Sequence, residues 1–328
     1  MRKNAFVAGL AAATVATVSG AFSTAAYSQA NYPNKPVRFI LAFGAPGGAP
    51  DVAARLIGPK LTEMWGQQVI VDGRSGAGGI VGTEAAARSA PDGYSYLITS
   101  PAHAINPALY EKLPYDPVAD FLPVSLLMEV PNIVVVHPSV PARNIKDLIA
   151  YAKANPGKLN YGSAGSGSSQ HLAGELFSKM AGVKMVHVPY KSGPAAVTDL
   201  TAGMVQLTFG SSSALPMVRA GKLFALAVTT SQRVSTLPDL PTVSEAALPG
   251  YAASAWYGMF APAKTPKAMI DKVQADVVRA LKMPDVREKL AFASIEPIGS
   301  SPAELEAFLK TEMAKWSVIV KESGAKAN

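Results

Sequence analysis

Cysteine is absent from the 328 residues. The chain therefore has no disulfides, no zinc ribbon, no iron–sulfur cluster and no thiol nucleophile. Charge is sparse as well: 16% of residues are charged, against 49% hydrophobic, which excludes a disordered polyelectrolyte. Four histidines (His103, His137, His171, His187) include no pair at helical i, i+4 spacing, and no H-E-x-x-H occurs. A resident metal is therefore not expected. G-x-S-x-G and a Gly-Lys-Ser/Thr phosphate loop are also missing. Gly76 and Gly78 begin a G-x-G-x-x-G pattern, but Val81 stands where the last glycine belongs, so no nicotinamide cofactor is expected. The formal charge is +7 and the basic residues are scattered among acids. No basic stripe with interleaved aromatics marks a nucleic-acid surface.

What is present begins with an export signal. Arg2 and Lys3 precede an apolar, Ala-rich run from Ala5 to Val18, and Ser28 and Ala30 satisfy the small-residue rule of a cleavage site. Residues 1–30 are expected to be removed, leaving a soluble protein outside the cytoplasm.

Beyond that segment, short apolar runs alternate with helical stretches. Val37–Phe43 reads as a buried strand, 53–65 as a helix, Val69–Val71 as a strand, 78–87 as a helix and Tyr94–Thr99 as a strand. This rhythm predicts an α/β fold with mainly parallel sheets. It breaks after Asp120, where Val124–Met128 and Ile133–Val136 follow each other with no helix between them. It resumes from Ile145 and ends with an extended aromatic run, Tyr251–Phe260, followed by helices alone. Two crossings predict a discontinuous first domain, 31–130 plus 251–328, and an inserted second domain, 131–250. Ligands of such lobes sit at the carboxyl ends of strands, in a cleft that closes by hinge motion.

Two loops carry the chemistry. Gly44-Ala-Pro-Gly-Gly-Ala-Pro-Asp51 joins a strand to a helix, and so does Gly162-Ser-Ala-Gly-Ser-Gly-Ser-Ser169. Small residues and a helix start expose backbone N–H groups, the natural partners of a carboxylate. The first loop can equally be a plain strand-to-helix turn with Pro50 at the first helical position, and the second a flexible loop with a Ser N-cap. Asp51 reads as a first-turn acid matched to the helix dipole, or as an acceptor for a ligand hydroxyl or ammonium.

Several further motifs combine with these loops: Gly76-Ala-Gly-Gly79, Ala90-Pro-Asp-Gly-Tyr94, His103-Ala-Ile-Asn-Pro-Ala-Leu-Tyr110, Gly157-Lys-Leu-Asn-Tyr161, Gly167-Ser-Ser-Gln-His-Leu-Ala-Gly-Glu175 and His187-Val-Pro-Tyr-Lys191. Together they resemble the Bug-type (TctC-like) extracytoplasmic solute-binding proteins of tripartite tricarboxylate transporters, over essentially the whole mature chain. The resemblance implies a two-lobed periplasmic-binding-protein fold, type II-like, with a ligand cleft between lobes. It implies capture of a small organic (di)carboxylate or aromatic acid in the periplasm by a monomer without cofactor or metal, and delivery to two membrane subunits. It carries ligand contacts onto Phe43, Gly44, Gly47, Gly48, Ala49 and Asp51 in the first loop, and onto Ser163, Gly165, Ser166, Gly167 and Ser168 in the second. Ser100, His103, Phe209, Gly210 and Ser211 complete the expected site.

Three departures from the family pattern stand out. Pro50 replaces a Thr, Gly210 replaces an Asp, and Gly73 and Ser75 flank Arg74 in place of Asn and Pro. The loss of an acid at 210 leans away from amino acids. Two other readings share these residues: a secreted esterase using a serine of the 163–169 loop, for which His171 is the local base, and a sensor for a membrane signalling receptor.

Overall fold

The computed structural model describes residues 32–43, 47–165, 168–210 and 212–323. The export segment therefore lies outside the described residues, as do Gly44, Ser166, Gly167 and Ser211.

Among the described residues, eleven strands form two sheets. The first holds β1 (Val37–Leu41), β2 (Val69–Gly73), β3 (Ser95–Thr99), β4 (Phe121–Val130), β10 (Ala255–Pro262) and β11 (Glu296–Pro297), in the order β11-β4-β10-β3-β1-β2. The second holds β5 (Ile133–Val136), β6 (Asn160–Ser163), β7 (Val186–Pro189), β8 (Leu207–Gly210) and β9 (Phe224–Val228), in the order β7-β6-β8-β5-β9. The fold is the two-lobed one of periplasmic binding proteins, a lobe around each sheet.

Both sheets follow one plan. A parallel trio (β2-β1-β3, and β7-β6-β8) is extended by a strand that runs against it (β10, and β5). The expectation of mainly parallel sheets is corrected here: both are mixed. β4 leaves the first lobe and β10 returns to it after the whole second lobe, so the two run in opposite directions and pair antiparallel.

The parallel trios need helical crossovers, and the sequence supplies them. In the first lobe these are α1 (Ala49–Trp65) and α2 (Ile80–Ala87); α3 (Ala102–Leu109) follows β3. In the second, α4 (Ile145–Ala154) leads from β5 to β6, the crossovers are α5 (Ser169–Ala181) and α6 (Gly193–Thr201), and the short α7 (Leu215–Arg219) and α8 (Val243–Ala246) follow. The chain closes with α9 (Lys267–Leu281), α10 (Pro284–Phe292) and α11 (Pro302–Ser323). Apolar residues at helical spacing bury one face of each long helix; on α11 these include Leu305, Leu309, Trp316, Ile319 and Val320. Among the described residues no helix is long and apolar enough to cross a membrane.

The two crossings are tied to each other. Asn132, between β4 and β5, donates through Nδ2 to the Ala253 carbonyl at 3.1 Å, and Thr229 accepts from the Ala253 N–H at 2.9 Å. Lys315 of α11 donates to the Ala252 carbonyl at 2.9 Å. The seam between lobes is thus a hydrogen-bonded unit braced by the last helix.

Candidate functional site

The carboxyl ends of the parallel strands face a cavity of about 350 Å³ between the lobes. Phe43, Ser100, Ala102 and Tyr110 come from the first lobe, and Ser168, Ser169 and Leu172 from the second. Ala253–Ala255 and Tyr257 come from the return crossing, and Trp316 from α11. Ile105, Asn106 and Leu109 complete one face of α3.

Phe43 is seated by a glycine. At Gly79 (φ +86°) any Cβ would collide with the Phe43 ring, so only glycine lets the loop after β2 close under it. α5 begins beside the cavity because Ser168 caps it: its Oγ accepts from the His171 N–H at 3.3 Å and donates to the Gly165 carbonyl at 2.7 Å. At the other lobe, Ser100 Oγ accepts from the Ala102 N–H at 3.4 Å where α3 starts. The first turn of a helix carries N–H groups without intrahelical partners and a positive partial charge. Both helices start beside the cavity, but at α3 the N–H groups of Ala102, His103, Ala104 and Ile105 are already taken by Ser100 and Pro101, so α5 is the start that can offer donors. Among the described lining residues no side chain is basic or acidic.

Of the expected residues, Phe43, Ser100 and Ser168 line this cavity. Gly47, Gly48 and Ala49 lie at the start of α1. Asp51 is only 6% exposed and already engaged, accepting from the Gly47 N–H at 3.0 Å and from Arg55 Nε at 2.8 Å. The first-turn-acid reading of Asp51 is the one this geometry carries.

The expectation that the His103 side chain faces ligand gives way. It is 1% exposed, its Nε2 lies 3.0 Å from the Pro117 carbonyl, and its ring packs on Phe121 and Phe260. Burial pushes its pKa down to about 4, so the ring is neutral at physiological pH. Phe209 likewise sits in the core between Tyr161 and Phe177, and Gly210 is buried at the end of β8.

Ser163 meets an imidazole, His187, at 2.7 Å from Nε2. Its side chain is nevertheless at 0% residue exposure, and its Oγ also accepts from the Gly165 N–H at 3.1 Å. His187 stacks on His171 (3.9 Å between ring centres), and burial followed by that neighbour pushes it down to about 4. Glu175 accepts from the Tyr161 hydroxyl at 2.6 Å and faces His171 at 3.7 Å. The acid therefore stands beside the other imidazole, and the serine is closed to solvent. That arrangement braces the second loop; it does not present a nucleophile. Among the described residues no group of three or more His, Asp or Glu is placed to hold a metal.

Sequence reasoning missed the apolar walls. Leu172, Tyr257 and Trp316 carry no signal of their own, since they look like core residues of amphipathic elements. The Ala253–Ala255 segment was legible only as a crossing.

A cleft between two sheets, flanked by helix starts and lined by neutral side chains, defines a solute-binding protein of the periplasmic-binding-protein class. Residues 53–325 match the tripartite tricarboxylate transporter family receptor, TctC, and the chain belongs to that family. It is 36% identical to Protein BugT of Bordetella pertussis over 298 residues, covering 90% of this chain and 91% of that one. An R. palustris protein solved with adipate superposes with a TM-score of 0.71 at 36% identity, covering 90% of this chain and 99% of that one. MatC from Rhodopseudomonas palustris, solved with bound malate, gives 0.67 at 32% identity, over 88% and 100%.

Proposed function

We propose that this protein is a periplasmic receptor that captures a small organic (di)carboxylate or aromatic acid in the cavity between its lobes and delivers it to a tripartite tricarboxylate transporter with two membrane subunits. One observation carries the reading: the start of α5, capped by Ser168 and facing Ser100, stands at a cavity of about 350 Å³ whose described walls bear no charged side chain. Backbone N–H groups then supply the anion contacts. The apolar walls, Phe43, Leu172, Tyr257 and Trp316, supply contact for a hydrocarbon or aromatic body. Relatives solved with adipate and malate support the carboxylate. We place the lobe boundaries at 31–130 plus 251–328 and 131–250, which the membership of the two sheets supports. The cleft closes about the paired crossings when ligand binds.

Thermal unfolding against a panel of organic acids tests this. A ligand at about 100 times its Kd stabilises by about 2.7 kcal/mol. At roughly 2–4 °C per kcal/mol this raises Tm by several degrees. No shift with any aliphatic or aromatic acid, together with hydrolysis of a chromogenic ester, would replace the receptor with the esterase.

A further inference from the structure

We propose that the cavity selects acids with a single charged end: the far end of its ligand is an uncharged polar group beside Ser254, and Glu129 is the positioning residue that excludes a second carboxylate. The inference rests on the receptor reading and narrows its ligand.

The cavity is electrically lopsided. At one side stands the start of α5 with Ser168, beside the Ser100 hydroxyl, where one carboxylate finds donors. The side where β10 begins is different. There the wall is Ala253, Ser254, Ala255 and Trp316, and it has no helix start behind it.

Behind that wall lies a buried patch of carboxyl groups. Glu129 of β4 is 7% exposed and in the β4–β10 ladder sits opposite Trp256, which is two residues along the chain from Ser254. Glu296 of β11 pairs with it on the other side. Glu312 of α11 accepts from Trp256 Nε1 at 2.8 Å and from Trp316 Nε1 at 2.9 Å.

The cation in this patch is already committed. Lys315 bonds the Glu312 carboxylate and the Ala252 carbonyl, so it compensates Glu129 only from a distance. Burial, the nearby Glu312 and Glu296 push Glu129 up to about 7 against the opposing pull of Ser254 and Lys315. A second ligand carboxylate placed here would shed its water, find no lining cation and face this acid. A hydroxyl or amide would meet the Ser254 hydroxyl at no such cost. The ligand class is therefore a monocarboxylate with an apolar or aromatic body and a neutral polar tail, in contrast to the adipate and malate of the two relatives.

Matched probes test it by titration calorimetry on the intact mature protein at about pH 8, where Glu129 is mostly ionised. The pairs are ω-hydroxyhexanoate against adipate, and para-hydroxybenzoate against terephthalate. The hydroxy acid of each pair that binds should be preferred by at least about tenfold. Glu129→Gln should shrink that preference by about fivefold or more, mainly by improving the diacid. A purely structural role for Glu129 would move both affinities together and leave their ratio alone. A wild-type protein that binds the diacid as tightly as the hydroxy acid overturns the inference and leaves the receptor reading standing. A ratio unchanged in a folded Glu129→Gln protein overturns the role of Glu129. Failure of every acid to bind overturns both readings. The wild-type comparison needs no variant, so an unfolded Glu129→Gln protein leaves the selectivity decided.

Discussion

The two lobes make the same turn twice and finish it with opposite chemistry. After β1, the loop into α1 starts its helix at Gly48, which offers no side-chain cap. The Asp51 carboxylate reaches back to the Gly47 N–H and is held by Arg55. After β6, the loop into α5 is capped by the neutral hydroxyl of Ser168. The first loop carries its own anion at the helix start; the second carries none. Ser168 lines the cavity and Asp51 does not. Similar Gly-rich spellings therefore end differently: the first turn satisfies its helix start with its own carboxylate, and the second leaves a helix start capped by a neutral hydroxyl beside the cavity.

Giving the second loop the first loop's charge is the strongest way to break this difference. Asp is as good an N-cap as Ser, so Ser168→Asp should fold with unchanged or slightly higher stability. Its carboxylate would occupy the cavity wall and repel a bound anion where water is scarce. Binding of any acid found by thermal shift should fall by more than about 100-fold, which corresponds to about 2.7 kcal/mol. Full affinity in a folded Ser168→Asp protein would remove α5 from the anion site.

The converse change tests whether Asp51 is structural. Asp51→Ala deletes the acceptor for Gly47 and leaves Arg55 without its partner. Because Arg55 is largely exposed, the loss comes chiefly from the backbone bond to a buried carboxylate. Denaturant unfolding should show a loss of about 1–3 kcal/mol. Unchanged stability with lost binding would instead make Asp51 a ligand acceptor.

This contrast was invisible in the sequence, where both loops read as Gly-rich starts of helices. The architecture was more legible. Val37, Phe39, Ile40 and Leu41 are all buried, so the apolar run marked a central strand directly, and the two helix-free crossings marked the change of sheet. Sheet direction was not legible, because β10 pairs with strands far earlier in the chain. α3 was missed because Asn106-Pro107 reads as a break. Pro107 lies in the helix's second half, where it forgoes the bond to the His103 carbonyl. Losing α3 meant losing Ile105, Asn106 and Leu109 from the site. His103 entered the expected site through the family resemblance, as part of the loop after β3. A side chain's direction depends on where its helix begins, and one unrecognised helix start turned the ring from cleft to core.

The smallest effect sharpens the comparison most. If α5 binds the carboxylate through its backbone, the Ser168 hydroxyl is a cap first and a contact second. Its Oγ donates to Gly165 at 2.7 Å and accepts from the His171 N–H. A hydroxyl has one proton, and Gly165 holds it. It therefore has none to donate to a bound carboxylate. Ser168→Ala should accordingly cost about 1 kcal/mol of folding stability through the lost cap. It should weaken acid binding by less than about tenfold, since the loop is loosened but its N–H donors remain. The ratio of these two losses separates the roles. Calorimetry and denaturant unfolding on the same preparation measure both. A folded Ser168→Ala protein of near-native stability whose affinity drops more than about 100-fold would show the hydroxyl itself, and not the helix start, to be the anion's partner.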